Sequence, residues 1–166
     1  MSKTPNSPVI VNTSPLLYLH QIGYLELLQN LYKKIIVPSA VVEELTVGET
    51  QGINVPDIEA IEWISITAVK SANLIPTEIN LGKGEAEVLA LGLANPDSLL
   101  IFDDRLARRF ADSHQLKYTG TLGILVKAKH LGYLSSVAGV VELLRHQGMW
   151  LTDNLIEDVL RLAGET

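Results

Sequence analysis

Three short runs of branched aliphatic residues constrain most strongly what this chain can fold into. They are Val9-Ile10-Val11, Ile35-Ile36-Val37 and Leu99-Leu100-Ile101-Phe102. None alternates with polar residues, so each reads as a strand buried on both faces. Each is followed by a helical pattern. Ser14-Pro15 reads as an N-cap with proline at the first helical position, and Leu16, Leu19 and, beyond Gly23, Leu27, Leu28 and Leu31 continue an apolar stripe. Ser39 can cap a helix carrying Val41, Val42 and Leu45, and residues 48–57 read as loop. Residues 63–69 alternate with period two, as a strand nearer a sheet edge does. A short apolar helix spans 84–93, Asn95-Pro96-Asp97 is a turn, and a helix covers 105–113. A brief strand ends at Tyr118-Thr119, and helices over 121–130, 137–146 and 152–162 make the C-terminal third helical. Strands alternating with helices predict an α/β fold with a central parallel sheet covered on both faces.

The 166 residues suit one domain, expected over 9–166 behind a polar, flexible leader at 1–8. Cysteine is absent, which rules out a disulfide framework or a thiolate zinc site and fits a reducing compartment. No signal-peptide pattern and no membrane-length apolar run occurs, so a cytoplasmic location without a membrane partner is expected. The formal net charge of −6 argues against a surface that attracts nucleic acid everywhere, while leaving room for a local basic rim.

Parallel sheets bind ligands beyond the carboxyl ends of their strands, where the strand order reverses. The first strand ends in Asn12, and the run 99–102 ends in Asp103 and Asp104. Such residues also start ordinary turns, but two adjacent carboxylates repel each other and favour a nearby cation. On the helix at 84–93, the directions of Val88, Leu89, Leu91 and Leu93 average to one side. Glu85 points along it, whereas Glu87 points away and reads as solvated. A carboxylate on a buried face needs a metal, a proton or a partner. On the helix after Pro38, Glu43 points away from the apolar face and Glu44 lies at its border; an ordinary surface glutamate fits Glu44 equally well. Together Asn12, Glu44, Glu85, Asp103 and Asp104 form an oxygen-rich set without sulfur, which suits Mg2+ or Mn2+ and the hydrolysis of phosphodiesters.

These segments resemble a known family. Val9-Ile10-Val11-Asn12-Thr13-Ser14-Pro15-Leu16 and Val37-Pro38-Ser39-Ala40-Val41-Val42-Glu43-Glu44-Leu45 are similar to the opening of PIN-domain proteins. Leu81-Gly82-Lys83-Gly84-Glu85-Ala86-Glu87, Leu100-Ile101-Phe102-Asp103-Asp104-Arg105 and Thr119-Gly120-Thr121-Leu122-Gly123-Ile124-Leu125 resemble later motifs of a bacterial, largely uncharacterised, toxin-like subgroup. The resemblance implies a three-layer α/β/α sandwich and a Mg2+- or Mn2+-dependent ribonuclease, a hydrolase acting on RNA. It further implies the toxin of a toxin–antitoxin pair, a homodimer held in check by a small antitoxin-like protein. The family's four acidic positions fall on Asn12, Glu44, Glu85 and Asp104, with Thr13 and Ser14 supporting the first. Glu44, Glu85 and Asp104 are then the expected catalytic carboxylates, and Asp103 a further metal ligand of the subgroup. Asn12 departs from the family's usual aspartate: an amide oxygen ligates Mg2+ without adding charge.

Arg105, Arg108 and Arg109 follow the acidic pair, Arg105 and Arg109 on one helix face, and could meet RNA phosphates, as could Lys127, Lys129 and His130, although a solvated face explains the lysines better. Trp63 and Trp150 read as core or interface rather than as base-stacking platforms, and the four histidines show no ligand spacing. Three readings stay open: a metal-dependent endoribonuclease, a degenerate PIN-like domain that binds RNA or protein without cutting, and a phosphoryl-accepting receiver-like domain.

Overall fold

The apolar runs become the middle of a sheet. In a computed structural model, which describes residues 7–70 and 75–166, five strands pair in parallel. They are β1 (Val9–Val11), β2 (Ile35–Pro38), β3 (Ile64–Thr67), β4 (Leu99–Ile101) and β5 (Lys117–Thr119), in the order β3-β2-β1-β4-β5. The helices among the described residues are α1 (Thr13–Gln21), α2 (Glu26–Tyr32), α3 (Ser39–Thr50), α4 (Lys83–Ala94), α5 (Arg105–Ser113), α6 (Thr121–His130), α7 (Val137–His146) and α8 (Asp153–Leu162). The fold is an α/β sandwich with a helical C-terminal third.

Side-chain alternation along the central strands feeds two cores. Val9 and Val11 join the larger one with α1, α2, α3 and the three C-terminal helices, while Ile10 joins the smaller one with α4 and α5. On β4, Leu100 and the following Phe102 face the smaller core and Ile101 the larger. Each fully buried Leu, Ile or Phe contributes roughly 1.5–3 kcal/mol, so truncating Leu89 or Leu100 to alanine would cost about 2–5 kcal/mol. The smaller core tolerates no extra atom where α4 crosses β4: a Cβ on Gly92 would lie 2.7 Å from Leu100 Cδ1. β3 lies at a sheet edge, as its alternation predicted, and Trp63 beside it is half-buried against the larger core.

Two helix starts differ from expectation. α1 begins at Thr13 with Asn12, not Ser14, as its N-cap, and α3 begins at Ser39 with Pro38 as its N-cap. In both places the strand leads almost directly into the helix, so a residue at the strand's own end occupies the capping position. The expected leader falls largely on residues 1–6, outside the described residues. Its last residue, Pro8, already joins the pairing of β1 with β4 at the middle of the sheet, since its carbonyl accepts from Leu99 N at 2.9 Å.

Candidate active site at the switch point of the sheet

Successive connections step outward from β1 to β2 and β3, then cross back so that β4 pairs with the other side of β1. The reversal lies between β1 and β4, where Val11 pairs with Ile101, so Asn12 and Asp103-Asp104 emerge side by side. α3 and α4, which pack on one another, bring Glu44 and Glu85 to the same crevice.

Asn12 is only 2% exposed, and its N–H donates to Ile101 O at 2.9 Å. An N-cap asparagine ordinarily turns its side-chain oxygen onto the helix; here it makes no capping bond, and Oδ1 is buried without a hydrogen-bond partner among the described residues. An unmet buried acceptor costs about 1–3 kcal/mol and calls for an explanation. Glu44 is better held. Its carboxylate accepts from Thr13 Oγ1 at 2.5 Å and from Gly84 N at 3.2 Å. Thr13 therefore steadies Glu44 rather than Asn12. Gly84 permits this approach: a Cβ there would stand 2.4 Å from Glu44 Oε1 and 3.0 Å from Asn12 Oδ1. Both oxygens thus converge on the same small space.

Glu85 is half-buried and lines the crevice. Burial pushes its carboxyl above the ordinary value, and the negative charges of Glu44 and Asp104 add to the rise. Asp104 caps α5, with Oδ2 accepting from Ala107 N at 2.8 Å. That anchors its position at a positive helix end. Asp103 has a different engagement. Its oxygens accept from Thr121 N at 2.8 Å and Thr121 Oγ1 at 2.7 Å, and Arg108 Nη2 approaches at 3.9 Å. The Asp103 carboxylate thereby clamps the end of β4 to the start of α6.

Glu87 corrects the sequence reading. It is 5% exposed rather than solvated, and its Oε1 accepts from Ala40 N at 3.0 Å in the first turn of α3. The averaged direction of the large residues misplaced the helix's buried side. α4 is packed nearly all round, and its deepest positions include the small residues Gly84, Ala90 and Gly92, which that average ignored. Glu87 thus ties α4 to α3 and helps set where Glu44 stands.

The crevice opens into a cleft of about 740 Å3. Ser14, Glu85, Asp103, Asp104 and Arg105 line one part of it, and Trp150 stands on its rim. Arg109 is exposed but does not border the cleft, whereas Arg108 does. Arg108 lies over the Tyr118 ring at 5.5 Å and donates to Phe102 O at 3.4 Å. Lys127 and Lys129 are engaged internally, over the Tyr32 ring at 4.6 Å and with Glu165 at 2.9 Å. His130 contacts Leu162 O at 2.8 Å. Trp150, expected in a core or interface, is 84% exposed, since its flanking residues rather than its ring are anchored.

The residues fit a hard divalent cation. All the donors are oxygens, one is buried and unpaired, and Glu44 and Asp104 lie close enough for their charges to act on Glu85. Among the described residues no three acidic or histidine side chains gather closely enough to hold a metal ion by themselves.

A parallel α/β fold with carboxylates gathered at its switch point defines a class of proteins that can bind a divalent cation at the ends of the strands. A family model described as a PIN domain matches residues 8–165, and the chain belongs to that family. PIN domains are generally nucleases that use divalent metals. Searches among curated proteins and among solved structures return no match. Among the described residues no helix is long and apolar enough to cross a membrane.

Proposed function

We propose that this PIN domain is a Mg2+- or Mn2+-dependent endoribonuclease. The observation that carries the reading is the buried, unpaired Asn12 Oδ1 beside Glu44, Glu85 and Asp104 at the switch point. In the reaction a water oxygen bonds to phosphorus, the bond from phosphorus to the leaving ribose oxygen breaks, and that oxygen gains a proton. A bound cation would polarise the phosphoryl group and acidify the attacking water. Asn12, Glu44, Glu85 and Asp104 would hold it, while Thr13 and the Gly84 N–H keep Glu44 in place. Arg105 and Arg108 supply positive charge for substrate phosphates along the same cleft. By family resemblance, the biological setting we propose is a cytoplasmic homodimeric toxin neutralised by a small antitoxin-like protein.

Asn12 itself favours a second reading, an RNA- or protein-binding domain that does not cut, because the amide brings no charge to the cation. The receiver-like reading loses support, since that architecture orders its strands 2-1-3-4-5 and this sheet runs β3-β2-β1-β4-β5.

Asn12→Asp separates the first two readings. The nearly isosteric change adds a fourth carboxylate, so the metal-free protein should melt lower and Mg2+ should raise its Tm more than that of the native protein. Cleavage of a mixed RNA pool should rise as well. A variant that melts higher without metal and gains nothing from Mg2+ would remove Asn12 from a cation site and leave the binding domain as the better account.

A further inference from the structure

Trp150 is 84% exposed, the largest value among the bulky apolar side chains described. Its neighbours are fixed. Met149 N donates to Leu144 O at 3.1 Å, Leu151 is 7% exposed, and Thr152 Oγ1 caps α8 by accepting from Leu155 N at 3.1 Å. The connection between α7 and α8 is thus pinned on both sides of a ring left in water. A tryptophan can bury about 150–250 Å2, and this one has almost none of its surface covered. It borders the same cleft as Glu85, Asp104, Arg105 and Arg108.

Resting on the nuclease reading above, we propose that Trp150 is the stacking platform for an unpaired base of the RNA strand whose phosphate lies in the carboxylate crevice. The flat indole offers a face that any base can cover, which gives affinity with little sequence preference. The same cleft is lined by Arg105 and Arg108 as well as by the ring and the carboxylates, as a strand with a charged backbone and apolar bases requires. A protein docking here would meet the half-buried carboxylates of Glu85 and Asp104 in the same cleft, which suits an apolar partner poorly. A paired duplex has no free base face to present, so the site selects single strands.

The chain has two tryptophans, which makes intrinsic fluorescence a direct readout. A short oligouridylate is titrated in Ca2+ buffer into the native protein, Trp63→Phe, Trp150→Leu and Trp150→Phe. Quenching is expected in the native protein and in Trp63→Phe. By anisotropy of labelled oligouridylate, Trp150→Leu should bind about 5- to 150-fold more weakly, as one lost stacking contact implies, and Trp150→Phe should recover part of the loss. With Mg2+ or Mn2+, Trp150→Leu should raise KM with little change in kcat. If the native protein cleaves RNA while Trp150→Leu keeps the native KM and the oligonucleotide quenches nothing, the stacking role is overturned and the nuclease stands. If no RNA is cleaved but Trp150-dependent quenching occurs, the nuclease reading falls and the stacking role stands. Sedimentation showing a native dimer that Trp150→Leu dissolves, with no quenching by RNA, would assign the ring to a second copy and overturn the proposal.

Discussion

Two places in this molecule set carboxylates against the start of a helix, with opposite electrostatic outcomes. At the C-terminal end, Glu165 accepts from Val137 N at 2.6 Å and Ala138 N at 3.0 Å, at the head of α7, and from Lys129 Nζ at 2.9 Å. Those contacts, the lysine first, hold its carboxyl down at about 2. At the switch point, Glu85 sits in the first turn of α4 with Glu44 and Asp104 for neighbours, and its carboxyl is held up by burial and by their charge. The latch satisfies its oxygens from within the protein. The crevice leaves Asn12 Oδ1 unmet and gathers like charges. A carboxylate that the protein neutralises itself contributes to folding; a group of them left unneutralised is poised for something from outside.

The sharpest way to break that contrast is Asp104→Asn. If the crevice awaits a cation, removing this charge should weaken Mn2+ binding by more than the about 10- to 100-fold typical of outer-shell groups. Calorimetry on both proteins decides, and unchanged affinity would place Asp104 with the structural carboxylates. Glu87→Ala comes next. It strands the buried Ala40 N–H and should cost about 1–3 kcal/mol in urea melts, with a far smaller effect on metal affinity than Glu85→Gln has. Equal metal effects from the two would mean that the two glutamates of α4 do not divide the work as described.

Glu165→Gln tests the latch. Its folded value lies below the ordinary 4.5, so its stabilising share is present above that value and is lost as the pH falls from about 4.5 towards 2. Stability measured against pH should therefore fall less steeply across that window in the variant, and metal affinity at neutral pH should not move. The smallest effect belongs to Lys83→Ala. Its partner Glu43, at 3.1 Å, is as exposed as the lysine itself, so solvent screening leaves little or no measurable loss of stability. A larger loss in the same melts would show that the exposed pair helps hold α3 against α4.

Much of this was legible in the chain before any coordinates. The buried runs located β1, β2 and β4, and their polar ends placed Asn12 and Asp104 at the reversal, because strand ends and ligand sites are linked by topology. Side-chain phase was less legible. Glu87 was assigned to solvent because the estimate weighed large apolar residues and gave none to Gly84, Ala90 and Gly92, the residues that let α4 approach its neighbours most closely. The engagement of the Asp103 oxygens by Thr121 was not legible, because Thr121 lies eighteen residues away and announces nothing in sequence. Of the two places expected for Trp150, core and interface, its exposure removes the core, because hydrophobicity alone cannot report that Met149 and Leu151 on either side take the anchoring role.

The two tight glycines of α4 should fail differently under selection. At Gly92 a methyl group meets the Leu100 side chain inside a packed core, and the fold itself must yield. At Gly84 it meets the tip of the Glu44 side chain, which can swing aside at small energetic cost while leaving its place between Thr13 and the α4 backbone. A variant library sorted for protein abundance would therefore retain alanine at position 84 and discard it at position 92. The same library sorted for RNA cleavage would discard both, and only the comparison of the two sorts would reveal a glycine that protects an activity rather than a structure.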